Sequence, residues 1–441
     1  MIESNDSTIV SPDPETPPPA VILAPPDAPP ASPVTPPASP SASAILGVLF
    51  GGVLALAALC GVLAYLIVPF MQKQDALSTN TLIAALTGMA LVYGGLVLYV
   101  AIPLLRRRAA PQLRLPPARI FLVLFLIVVL LGVAVLWFRV APVYLFPPWH
   151  VLAAGMMSLA ALAYALRRLK PVAGSTLVAQ LTWGGLGTIV PAVVLELLAG
   201  VAIVVVVVIG AALILGVDRF QQLARQLQSG LRGGNLDFLL QSLQNQPLLT
   251  ILVGAAAVFF ISGVVPVVEE LLKSLAPAIT IARSKPTAAQ ALLWGLAAGA
   301  GYAFTENLLN GSGSVTSQTG GDCAAIEWAA IMTIRAGTSL MHIATTTTIS
   351  VGWYAWFVRG RPRRFFLFLL VGLATHGLWN VVALGMGAAL TQTTLCNISA
   401  STLAAPGTLM GLAALLTLLA MVIGAGVWIG GLVQWARRQA A

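Results

Sequence analysis

Four apolar stretches between Leu248 and Leu390 carry polar side chains whose types and spacing could do chemistry. Glu269 and Glu270 precede Lys273 by four and three residues, so one helix face carries carboxylate and ammonium together. Glu306 and Asn307 follow the Gly-rich run GLAAGAGYAF. Arg335 and His342 stand seven residues apart, on one face two turns apart, and a run Thr345–Thr348 follows. His376 and Asn380 are four apart and again share a face. A buried Glu beside a His can deprotonate water, with burial raising the carboxylate pKa and a nearby Lys or Arg lowering it. His and Asn side chains can donate hydrogen bonds to a developing oxyanion. Alternatively Glu270, Glu306, His342 and His376 are ligands enough for zinc with an open water position. Both routes end in amide hydrolysis, and the glutamate-dependent one needs no cofactor. There is no HExxH and no matched Ser-His-Asp or Asp-Asp arrangement. Lys273, Arg335 and Asn307 read as supporting residues, the two cations holding carboxylates in place. The rival reading is a transporter that relays protons through the same groups. Against it, the charged spans cluster in the C-terminal half and show no convincing inverted repeat. An inactive protease-like scaffold would carry much the same pattern.

The elements that must position these residues are membrane helices. The chain is 58% hydrophobic and only 8% charged, against about 25% in a typical soluble domain. Apolar runs of about 20 residues recur, the length that crosses a bilayer. They predict an all-α polytopic bundle of about ten spans: Ala44–Phe70, Leu82–Leu105, Ile120–Phe138, Trp149–Leu166, Pro191–Gly216, Leu248–Ala282, Ala288–Leu309, Ile326–Val358, Phe365–Leu390 and Gly407–Trp435. The Gly-rich Leu177–Ile189 reads as a membrane-depth or interfacial lead-in to the fifth span.

The net charge of +9 does not point to nucleic acid, because Arg and Lys sit in short loops between apolar runs. Basic loops follow spans two, four, six, eight and ten, which places all five on one side. That side is expected to be cytoplasmic, with the protein multi-pass in the cell membrane and both termini in the cytoplasm. Residues 1–43 are Pro-rich and acidic and read as a disordered tail. Residues 44–217 form the N-terminal helices, and 218–247 read as two short amphipathic helices on the outer surface.

Depth argues for one site. Glu270 lies 13 residues from Arg283 and His376 lies 12 from Arg364, about 20 Å and 18 Å along a helix. Four consecutive helices can therefore bring their polar groups to one level. The outer loops after spans seven and nine hold Cys323 and Cys396, which an oxidising compartment would allow to pair.

The ordered set EELLK at Glu269–Lys273, GYAFTEN at Gly301–Asn307, Arg335 with His342, and HGLWN at His376–Asn380 resembles the PrsW family of intramembrane proteases. That family is similar to the CAAX prenyl protease and bacteriocin-processing group. The resemblance covers residues 248–390, leaving 391–441 as an outer loop and last span. It implies a multi-pass membrane protease, in some classifications a metalloprotease, that cuts membrane-anchored proteins such as anti-sigma factors. By motif it makes Glu269, Glu270, Glu306, His342 and His376 the catalytic set. Asn380 becomes the oxyanion partner by analogy with the wider group. The Pro-rich tail and the extra N-terminal spans depart from the family pattern.

Overall fold

The computed structural model of the protein describes residues 41–72, 76–169, 172–232, 246–312, 322–391 and 406–439. Within them the fold is all-α, and no strand occurs among the described residues. In chain order the helices are α1 (Ala42–Met71), α2 (Ala76–Leu105), α3 (Ala118–Trp137), α4 (Pro142–Leu166), α5 (Gly174–Thr182), α6 (Thr188–Leu215), α7 (Val217–Arg232), α8 (Pro247–Phe259), α9 (Val265–Ser284), α10 (Ala288–Ser312), α11 (Asp322–Phe357), α12 (Pro362–Thr391) and α13 (Pro406–Arg438). Two π-turns, Trp183–Gly187 and Phe260–Val264, join α5 to α6 and α8 to α9 without a break.

Eight continuous helical segments among the described residues are long and apolar enough to cross a membrane. The two of the expected ten that fall short on hydropathy are α10 and α11, of 25 and 36 residues. They lie inside the bundle, α10 being buried along nearly its whole length. A helix whose surface meets protein needs no uniformly apolar coat, so these two can be less apolar than the helices around the rim.

Helix α10 is organised as a pillar. It starts on a capping box: Thr287 Oγ1 accepts from the Gln290 backbone N–H at 3.3 Å, and Gln290 Oε1 accepts from the Thr287 N–H at 2.9 Å. Its small residues admit neighbouring backbones. A Cβ on Gly301 would lie 2.0 Å from the Leu181 carbonyl oxygen, and one on Gly184 would lie 1.9 Å from that of Ala298. Segment 177–189, expected as a lead-in, is therefore helix throughout, with its glycine cluster forming the π-turn that packs on α10.

The basic loops meet one another at one end. Arg167 Nη2 donates to the Leu115 carbonyl at 3.3 Å, Lys285 Nζ to that of Phe357 at 2.7 Å, and Arg359 Nη2 to Gln439 Oε1 at 3.4 Å. The first of the two expected amphipathic helices is α7, whose Phe220 and Leu223 pack against Ala211 and Leu249. The second falls on residues 233–245, outside the described residues, as does nearly all of the Pro-rich tail.

Candidate active site

The polar residues of α9, α10, α11 and α12 converge. Lys273 is fully buried, and its ammonium lies 2.7 Å from Glu270 Oε1, 3.1 Å from Glu269 Oε2 and 3.0 Å from His342 Nδ1. It also stands 4.2 Å over the ring of Tyr302, whose quadrupole favours a cation there. Burying an ammonium is costly unless its donors are matched. Two carboxylates, an imidazole and an aromatic face supply that match.

The adjacent glutamates differ in setting. Glu270 is fully buried and locked: Thr345 Oγ1 donates to its Oε1 at 2.9 Å, Thr346 Oγ1 to its Oε2 at 2.8 Å, and His376 Nδ1 lies 2.9 Å from Oε1. Glu269 faces a cleft of about 640 Å³ shared with Glu306, Arg335, His342, His376 and Asn380. Its Oε2 is 3.6 Å from His376 Nε2 and 4.0 Å from His342 Nδ1.

Each histidine is backed by a carboxylate on its far nitrogen. Glu306 Oε2 lies 2.6 Å from His342 Nε2, and Glu270 Oε1 takes His376 Nδ1. A carboxylate there holds an N–H, which leaves His342 Nδ1 and His376 Nε2 as the lone-pair atoms of the neutral rings. The two rings meet edge to face with centroids 4.8 Å apart. Glu306 is fixed in turn by Arg335 Nη1 at 2.8 Å and Asn310 Nδ2 at 3.0 Å. Arg335 and His342, two turns apart on one face, thus grip the two oxygens of a single carboxylate.

Asn307 points elsewhere. Its Nδ2 donates to Ser339 Oγ at 2.8 Å and lies 3.3 Å from the Arg335 carbonyl, so it ties α10 to α11 behind the site. Asn380 lines the cleft, and its Nδ2 donates to the Ile261 carbonyl at 2.9 Å.

A metal fits the donor set by identity. Glu269, His342 and His376 present ligand atoms all within 4.8 Å of one another, and His₂Glu with outer carboxylates is a zinc pattern. The sequence pointed to Glu270 and Glu306 as ligands beside the histidines. In the structure those two stand behind the imidazoles, and Glu269 faces inward. The 4.0 Å between Glu269 Oε2 and His342 Nδ1 is wide for two bonds of about 2.1 Å in a tetrahedron. The Lys273 ammonium lies against both of those atoms, 3.1 Å from Glu269 Oε2 and 3.0 Å from His342 Nδ1.

The site is also braced by residues that the spacing of charged groups does not single out. Tyr302 lies within GYAFTEN and was readable only as an aromatic beside a glycine. Trp183 Nε1 donates to the Leu272 carbonyl at 2.9 Å and Gln180 Nε2 to Thr280 Oγ1 at 2.9 Å, bracing α9 from the α5 side. Glu196, the lone ionisable residue of α6, is half-buried with its Oε1 enclosed and unpartnered. A single carboxyl in an otherwise apolar helix of 28 residues was its signal. His150 has both nitrogens occupied, by the Trp328 indole N–H and the Leu308 carbonyl, and serves packing. Cys396 lies outside the described residues, so its pairing with Cys323 stays a proposal.

Residues 233–405 match the PrsW family intramembrane metalloproteases, the same part of the chain that carries the four motifs. No curated protein and no solved structure matches the chain.

Proposed function

We propose, taking the similarity of residues 233–405 to PrsW family intramembrane metalloproteases as the premise, that this membrane protein hydrolyses peptide bonds of membrane-anchored proteins. The observation that carries the reading is the cleft at which Glu269 faces two carboxylate-backed histidines. Glu269 is the residue placed to take a proton from water held in the cleft and to return it to the leaving amine. Lys273, 3.1 Å from Glu269 Oε2, holds that carboxylate in place. Glu270 does not reach the cleft. It holds His376, as Glu306 holds His342. His376, once protonated at Nε2, can donate to the tetrahedral oxyanion.

Where zinc is bound, Glu269, His342 and His376 would hold it, and it would supply a Lewis acid and a more acidic water. The glutamate-dependent route uses the same residues with no ion.

The cleft runs from Glu269 towards Asn310, Ile331 and Met386, the helix ends away from the basic loops. With the protein in the cell membrane and the basic loops and both termini in the cytoplasm, substrate is met from the outer side. A single-span protein with an extracytoplasmic domain, of the anti-sigma-factor kind, suits that approach. The test is cleavage of a single-span substrate by the purified protein in liposomes. Loss of cleavage in Glu269→Gln supports the reading, and undiminished cleavage in that variant overturns it.

A further inference from the structure

Asn380 sits beside a proline-made gap in a neighbouring helix. In the π-turn Phe260–Val264 the Val265 N–H bonds to the Phe260 carbonyl. The Ile261 carbonyl has thereby lost its α-helical donor, residue 265. Its π-helical donor would be residue 266, which is proline and has no N–H. With no water at membrane depth to bond it, an unpaired carbonyl there requires a protein partner. Asn380 Nδ2 is that partner, at 2.9 Å. One turn earlier on α12, a Cβ on Gly377 would lie 2.3 Å from the Ser262 carbonyl oxygen, so only glycine allows this approach. His376, Gly377 and Asn380 thus meet α9 and its π-turn at three points: Glu270, Ser262 and Ile261.

We infer that Asn380 is a positioning residue, which holds the π-turn register that aims Glu269 into the cleft. Glu269 follows Pro266 by three residues, one turn along the same face. A π-turn inserts one residue into the helix, so gaining or losing that register turns everything after it by about 100°. Such a turn would carry Glu269 away from both histidines. The oxyanion role implied by the family resemblance needs no such coupling to Pro266, which separates the two accounts.

The inference rests on the peptidase reading only for its cleavage readout. The experiment is a double-mutant cycle of Pro266→Ala and Asn380→Leu, a near-isosteric change, in the full-length protein reconstituted in liposomes. Pro266→Ala supplies a backbone N–H to Ile261 in the same register and should keep cleavage. Asn380→Leu alone should lose about 10²-fold in kcat, as a misplaced reacting group does. In the double variant most of that loss should return. The same fractional loss in both backgrounds, or an inactive Pro266→Ala, overturns the inference. Thermal unfolding in detergent gives a second cycle that needs no activity. Asn380→Leu should lower the midpoint, and the lowering should shrink with Ala at 266. Additive shifts overturn the inference there too. Should the parent protein cleave nothing, the functional reading fails while the unfolding cycle still decides this one.

Discussion

His376 Nδ1 lies 2.9 Å from Glu270 Oε1, inside a pocket closed by Thr345 and Thr346. This pairing divides two adjacent glutamates between two tasks. Glu270 orients an imidazole and is sealed from the cleft, while Glu269 is left facing it. The second histidine repeats the device with Glu306 from another helix.

Glu269→Gln should reduce cleavage by about 10²–10⁴-fold, the usual cost of a positioned general base. Its thermal midpoint should fall only slightly, because the amide keeps its size at the edge of a cleft and its oxygen still accepts from Lys273. Glu270→Gln should lower both, since Glu270 is sealed from the cleft and the amide gives His376 a weaker acceptor and sets an NH₂ group against a threonine hydroxyl that donates to it. Parallel cleavage and unfolding measurements check the contrast, and equal unfolding midpoints for the two variants would count against it.

Glu306→Gln should weaken the orientation of His342 without entering the reacting atoms. A lost outer carboxylate typically costs about 10–100-fold in metal affinity or activity. Calorimetric zinc titration of the purified protein reads the first and cleavage kinetics the second. A variant indistinguishable from the parent in both would remove Glu306 from the site.

Gly184→Val should destabilise the protein severely, because its first side-chain atom meets the Ala298 carbonyl at 1.9 Å. Overpacking of a close contact costs about 1–3 kcal/mol and more where backbone blocks relaxation. Gly431→Ala meets nothing within 4 Å and should be neutral. Unfolding midpoints in one detergent, measured side by side, make the comparison.

Protease and transporter give opposite results in liposomes. The protein should cut a single-span substrate and support no pH-dependent flux. Flux that disappears in His376→Ala, with no cleavage by the parent, would establish the transporter.

A bridge between Cys323 and Cys396 would tie the outer ends of the hairpins that carry Glu306 and His376. Neither thiol should accept a maleimide until reductant is added, and mass spectrometry of the digest should show the linked peptides. Labelling of both without reductant would refute the bridge.

The sequence by itself determined the membrane class, most of the helices and the charged side chains that four of them bring to the candidate site. Helical spacing is a local property, so the pairs Glu269–Lys273, Arg335–His342 and His376–Asn380 could be placed on common faces without a structure. Counting residues from basic loops put Glu270 and His376 at one depth, and they touch. Spacing says nothing about how far each helix is turned about its own axis. That rotation comes from close contacts between distant segments, such as Gly301 against Leu181 and Gly377 against Ser262. Only the tertiary structure therefore decided that Glu269 faces the cleft and Glu270 does not. It likewise decided which nitrogen of each histidine is held by a carboxylate. The part played by Asn380 also lay beyond reach, because it depends on a π-turn whose one extra residue leaves no mark in the hydrophobic pattern.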